Sequence, residues 1–279
     1  MFSHFLIWEG DMAAAGVTAC GMFSPTHLIV TAVCFAVLAV CLHLSRGMKE
    51  EQLDKIVLDV AIPVTLLECC KILFNWVHGG MTPNHWLPLT YCSLSIYAYW
   101  MIACGNKKVH EMGKGFIVGG GIVGGFAFLI LPMTSVATYP MFHFLSCYSM
   151  AFHTVMMYVG LSYLLNGYFH YNRRGYVQYL LFSVPACGLA LAVNLIYGLF
   201  DDIANCNMMF ISHPYRLGDV MPFVGAVYHF SPVLYTIGAL AVYLSLPYFV
   251  PCGIVCLLKK CKRRHDAKAE ENRVADDFG

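Results

Sequence analysis

The feature that most constrains this chain is a recurring run of apolar residues, each long enough to cross a bilayer, with the basic residues collected in the short segments between. A hydrocarbon core of roughly 30 Å takes about 20 residues of helix. Seven such spans fit, at His27 to Leu44, Ile56 to Val77, Trp86 to Cys104, Gly115 to Leu131, Phe144 to Asn166, Val177 to Leu199 and Phe230 to Cys252. With 59% hydrophobic and 12% charged residues over 279 positions, the composition describes a chain dissolved in lipid, not one folded around an aqueous core.

The basic residues test this count, because cytoplasmic loops carry the Lys and Arg excess. Arg46, Lys49 and Lys55 fall between spans 1 and 2, Lys107, Lys108 and Lys114 between 3 and 4, and Arg173 and Arg174 between 5 and 6. A further basic cluster runs from Lys259 to Arg273, whereas the segments on the other side hold Arg216 alone. The expectation is an all-α polytopic membrane protein of seven transmembrane helices, N-terminus outside and C-terminus inside. It divides into an outer N-terminal segment at 1–26, a transmembrane domain at 27–258 and a basic cytoplasmic tail at 259–279, disordered from Lys268. The opening residues lack the basic region of a signal peptide, and no soluble domain is expected.

Polar residues inside the spans are few and uneven in depth. Glu68 and Lys71 sit near the middle of span 2, where an ionisable group costs roughly 2.5 to 3.5 kcal/mol and faces a bundle interior or a pathway. Asn75 follows one turn later. His27 opens span 1, Thr90 to Cys92 lie about two turns into span 3, His143 and His153 mark the outer end and middle of span 5, Asn194 the outer end of span 6, and His229 the start of span 7. Lipid offers these groups no hydrogen-bond partners, so a polar chamber open to the outer side satisfies them together. Each also has a structural reading. Glu68 and Lys71 share a helix face and can neutralise one another, Asn194 can tie helices, and His27 and His229 can be satisfied by backbone or water. His153, deep among Met, Val, Phe and Tyr, needs a partner.

Thirteen cysteines show no metal-ligand spacing, and most sit in spans, where Cys is a small buried hydrophobe. Cys20 and Cys206 both fall on the outer side and could form a disulfide. Gly119, Gly120, Gly121, Gly124 and Gly125 follow no strand and precede no Lys-Ser or Lys-Thr, which excludes a phosphate loop. Their small-xxx-small spacing predicts close helix packing instead.

Several of these residues stand in an order that resembles the YwaF-like integral membrane proteins, a family to which eukaryotic transmembrane protein 164 is related. The resemblance rests on Phe23 with His27, Glu68, the run Leu87-Pro88-Leu89-Thr90-Tyr91-Cys92-Ser93-Leu94, the run Phe152-His153-Thr154-Val155-Met156-Met157-Tyr158, and Asn194 followed by Asn207 to Ser212, with extra residues around Asp201 and Asp202. It implies an acyltransferase acting on phospholipids through a cysteine in span 3 and a histidine in span 5, positions matched by Cys92 and His153. A histidine can take the thiol proton, the thiolate can attack a lipid ester, and the thioester can pass its acyl chain to a lysophospholipid, with Glu68 as the group that orients His153. The chain departs from the eukaryotic pattern in carrying Ser93 where a histidine follows the cysteine, and from many bacterial relatives in carrying Thr90 in place of histidine.

Two other classes remain open. A small-molecule or ion transporter would use Glu68 and His153 as proton or ion sites, and a non-catalytic membrane protein would bind a lipid or other ligand in the same chamber. The partners expected are membrane lipids, with phospholipid or lysophospholipid as substrate; no cofactor, metal or nucleic acid is expected, and no oligomeric state is implied. A bacterial plasma membrane is the expected location.

Overall fold

The computed structural model describes residues 4–79, 82–200, 206–214, 218 and 221–277, with the side chains of Arg263 and of residues after Arg264 left aside. Asp201, Asp202 and Arg216 lie outside the described residues. Every regular element among those described is helical. A short α1 (Glu9–Met12) precedes α2 (Pro25–Leu44), α3 (Glu50–Val77), the single turn α4 (Pro83–Trp86), α5 (Leu94–Cys104) and α6 (Lys107–Phe116). A π-helical turn at Ile117–Gly121 joins α6 to α7 (Ile122–Ile130), followed by α8 (Phe144–Leu165), α9 (Arg173–Tyr197), a 3-10 turn (Met208–Phe210), α10 (Pro222–Phe230) and α11 (Pro232–Asp277).

Local chemistry sets the boundaries. Ser24 caps α2 by accepting from the His27 N–H, with Pro25 at the first helical position. Asn106 caps α6 by accepting from the Lys108 and Val109 N–H groups, which starts this helix at Lys107, eight residues ahead of the expected Gly115. Asn172 caps α9 through the Gly175 N–H.

Five helical stretches are long and apolar enough to cross a membrane: Pro25–Leu44, Lys107–Ile130, Phe144–Leu165, Arg173–Tyr197 and Pro232–Lys262. Two of the expected spans read differently. α3 has 28 residues, about 42 Å of helix, but carries Asp54, Lys55, Asp59, Glu68 and Lys71 along it. The expected span from Trp86 to Cys104 is helical only from Leu94, 11 residues in all. The preceding stretch contains Pro88 and a cap in which Thr90 Oγ1 accepts from the Ser93 N–H at 3.3 Å and bonds Ser93 Oγ at 2.8 Å, so side chains there compete with a regular helix. At the other end, α11 continues to Asp277, through the tail expected to be disordered. The Lys, Arg, Ala and Glu of this tail are strong helix formers that extend a helix already nucleated.

The core is shared by α3, α5, the α6–α7 unit, α8 and α9, with Leu94, Tyr99, Phe116, Ile117, Met156, Tyr163, Tyr179 and Met208 fully enclosed. α2 presents Leu28, Ile29, Val33, Val37 and Val40 outward, an apolar face suited to lipid. The glycine run lets neighbouring elements approach closely. A Cβ on Gly125 would stand 2.5 Å from Met157 Cγ and 2.6 Å from the His153 carbonyl, and one on Gly160 would stand 2.7 Å from the Ile117 carbonyl. With no hydrophobic drive between helices in lipid, such backbone approach is a main source of association. Cys20 and Cys206 are both free: Cys20 Sγ lies 3.0 Å from Ser24 Oγ, and Cys206 Sγ bonds Asn194 Oδ1 at 3.6 Å, so the disulfide considered from sequence is not formed.

Candidate functional site

Cys92 lies in the turn that opens α5, its carbonyl already accepting from the Ser95 N–H at 3.0 Å. The neighbouring Tyr91 anchors this turn: its hydroxyl bonds Tyr179 OH at 2.9 Å, packed so closely on Gly120 that a Cβ there would stand 2.5 Å from it. Cys92 is partly buried, with Sγ 3.8 Å from the point where a side chain on Gly124 would begin.

His153 is buried on α8, its ring stacked on Phe128 of α7 with centroids 3.6 Å apart and planes 6° from parallel. Nδ1 lies 2.6 Å from the Ser149 carbonyl one turn back. A carbonyl only accepts, so Nδ1 carries the proton, and in the neutral ring Nε2 holds a lone pair. That Nε2 is buried without a hydrogen-bond partner among the described residues. No hydrogen bond joins Cys92 and His153. Both instead border α7, the thiol at Gly124 and the imidazole at Phe128, levels about 6 Å apart along the helix.

Glu68 does not bond His153 either. Its Oε1 accepts from Lys71 Nζ at 2.5 Å and its Oε2 from Tyr148 OH at 2.8 Å, so both oxygens are occupied. The direct Glu68–His153 contact expected from sequence is replaced by the Ser149 carbonyl, which a helical histidine reaches through its own preceding turn.

The remaining candidates are satisfied separately, not around one chamber. His27 Nδ1 accepts from the Phe23 N–H at 3.0 Å, made possible by the left-handed φ of 61° at Phe23. Its Nε2 lies 3.1 Å from the Leu129 carbonyl, which also takes the Thr31 hydroxyl, so α2 supplies donors to the exposed carbonyl end of α7. His143 caps α8 through the Leu145 N–H and holds the Ile7 carbonyl through Nε2, and burial pushes its pKa down to about 4. Asn75 donates to the His85 carbonyl at 3.4 Å. Asn194 accepts from the Met208 N–H and donates to the Met208 carbonyl and Ser212 Oγ. Asn207 accepts from the N–H groups of Ser212 and His213 and donates to the His213 carbonyl. The paired asparagines therefore hold a tight loop in which Met209 and Phe210 both take left-handed φ. Thr90 belongs to the α5 cap, and His229 is exposed.

The largest ionic network among the described residues lies elsewhere, at the end of the bundle where α3, α6 and α9 begin, and sequence reasoning missed it. Lys114 is buried, with Nζ 2.6 Å from Glu50 and 2.7 Å from Glu111. His110 bonds Asp54 at 3.1 Å, Gln178 donates to Glu111 at 3.0 Å, and Tyr163 donates to Asp54 at 2.5 Å. The i,i+3 spacing of Glu111 and Lys114 is visible in sequence, but the Glu50 and Asp54 partners, more than fifty positions away, are not. Glu50, His110 and Glu111 bring potential metal-ligand atoms within 4.8 Å of one another. The Lys114 ammonium already sits against both carboxylates, taking the place a divalent ion would occupy. An open cavity of about 210 Å3 adjoins this network, bordered by Lys107, Arg174 and Asn172.

The TMEM164 family model matches residues 22–246, a range that takes in every site residue discussed above. No curated protein and no solved structure matches the chain.

Proposed function

The chain belongs to the TMEM164 family, and on that footing we propose that this membrane protein transfers acyl chains between phospholipids through Cys92 and His153. The observation that carries the reading is the state of His153: Nδ1 is committed to the Ser149 carbonyl, and the lone pair on Nε2 is left buried with no partner among the described residues. A general base must hold its lone pair free until substrate arrives, and such hydrogen bonds often tighten only in the complex. In the proposed cycle His153 Nε2 takes the Cys92 proton, and the thiolate attacks the ester carbonyl, forming a C–S bond. The ester C–O bond then breaks, and the departing lysophospholipid oxygen takes the proton from Nε2. A second lysophospholipid hydroxyl reverses these steps.

Seven spans, an outer N-terminus, kinship with YwaF-like proteins and a bacterial plasma membrane form part of the same proposal. The alternation of basic segments supports the span count and orientation, and in this proposal α3 and the Trp86 to Cys104 segment are the two spans beyond the five apolar ones. Transport and passive ligand binding lack comparable support, since Glu68 is closed in an internal pair with Lys71 and Tyr148.

The test is transfer of a radiolabelled acyl chain from phospholipid to lysophospholipid by the purified protein in nanodiscs. Cys92→Ala and His153→Gln should each abolish transfer while leaving the melting profile intact. Full transfer by Cys92→Ala would refute the reading.

A further inference from the structure

Two hydroxyls on α5, which begins just after Cys92, have no partner among the described residues. Ser95 Oγ and Tyr99 OH are completely enclosed, and neither bonds any of those residues. Ser95 and Tyr99 are four apart, which places them on one side of α5, and the Ser95 N–H bonds the Cys92 carbonyl, so the turn that carries the thiol leads directly into this part of the helix. The Tyr99 Cα lies about 10 Å beyond that of Cys92, but a long helical side chain leans back toward the N-terminus. This returns the phenol toward the level of the thiol. Electrostatic interaction of Tyr99 with both Cys92 and Tyr148 agrees with that placement.

An enclosed hydroxyl without a partner costs about 1–3 kcal/mol, and lipid offers it nothing in exchange. Two such groups on one side of α5, with Tyr99 in electrostatic reach of the Cys92 thiol, are donors without an acceptor. Glu68 does not supply one: the hydrogen bonds it accepts come from Lys71 and Tyr148. Neutral hydroxyls suit a single oxygen on which charge develops briefly, whereas a phosphate group calls for cations.

We propose that Tyr99 OH and Ser95 Oγ form the oxyanion-binding subsite for the acyl carbonyl that reacts at Cys92, an inference that rests on the acyl-transfer reading. When the thiolate adds to the ester carbon, the carbonyl π electrons move onto oxygen, and both hydroxyls donate to it. When that electron pair returns and the C–O bond breaks, they are released unchanged. The same pair serves the second half-reaction, in which the C–S bond breaks. Removing one oxyanion donor elsewhere lowers turnover about 10²- to 10³-fold, and a comparable loss is expected for Tyr99→Phe.

The experiment measures kcat, KM and melting temperature for Tyr99→Phe and Ser95→Ala in the nanodisc transfer assay. Both variants should lose at least tenfold in kcat, with KM for phospholipid within twofold and melting temperature unchanged or raised, because neither hydroxyl bonds protein. Cys92-dependent transfer that both variants perform within twofold of the parent chain overturns the subsite and leaves the acyl-transfer reading standing. Failure of Tyr99→Phe to fold also overturns it, since the hydroxyl would then have a protein partner. Absence of Cys92-dependent transfer in the parent chain refutes the underlying reading and the subsite with it.

Discussion

Glu68 and Tyr148 are joined across α3 and α8 by a 2.8 Å hydrogen bond, while Lys71 closes the other carboxylate oxygen from one turn along α3. The charge expected to be exceptional within an apolar helix is thus neutralised in place and used to fix one helix against another. Removing one partner of such a buried pair costs more than removing both. Lys71→Met should lower stability by about 2–4 kcal/mol, and the double variant Lys71→Met/Glu68→Gln should recover part of that loss. Thermal unfolding in detergent micelles measures both, and equal melting temperatures for single and double variants would refute the coupling.

The two adjacent glycines of α7 should differ sharply. Gly125→Ala drives a methyl against the His153 carbonyl and Met157, and overpacking of this kind costs about 1–3 kcal/mol. Gly124→Ala meets Met156 Cε at 3.4 Å and Cys92 Sγ at 3.8 Å, which are ordinary contacts. It should leave the melting temperature nearly unchanged. A ranking in the opposite order would contradict the α7–α8 packing.

Lys114→Met removes the ammonium from between Glu50 and Glu111 and leaves two carboxylates facing His110. The variant should melt earlier, by the equivalent of about 2 kcal/mol, since both carboxylates remain partly wetted. Added Zn2+ should restore part of the loss, because the vacated position offers two carboxylates and an imidazole to the ion. The parent chain should not respond to Zn2+ there. Calorimetric melts with and without Zn2+ decide this, and equal Zn2+ shifts in both proteins would refute the substitution of one cation for another.

His143 carries a pH dependence whose sign follows from its burial. The folded state holds the imidazole neutral to about pH 4, whereas the unfolded chain protonates it near 6.5. The unfolded state therefore binds the proton first, and stability falls as pH drops from about 6.5 towards 4, by at most about 3 kcal/mol. His143→Asn keeps a capping side chain without a titrating group and should flatten the melting profile over that window. A parallel profile would assign the loss to other groups.

What the sequence made legible was what depends on neighbours a few positions away. Hydropathy located the apolar helices, and the small-residue spacing at Gly121 and Gly125 indicated close packing, because both are properties of one helix. The break before Leu94 was harder to see, since it depends on Thr90 and Ser93 bonding each other in place of continuing the helix. Lys114 read as a loop residue because its neutralising partner Glu50 comes from α3. For the candidate site, the local bond from His153 to Ser149 follows from helix geometry and could have been inferred. That Nε2, Ser95 and Tyr99 lack partners depends on everything packed around them, and no local pattern encodes it.

Phe128 lies flat on one face of His153, and Nε2, in the plane of the imidazole, is enclosed by the rest of the bundle. A thioester is open to attack by any hydroxyl that reaches it, and water is far more abundant than a second lipid. Under the proposed chemistry, a base enclosed within the bundle activates only what arrives from the hydrocarbon side. That enclosure would then separate a transferase, which conserves the acyl chain, from a lipase, which discards it as free acid.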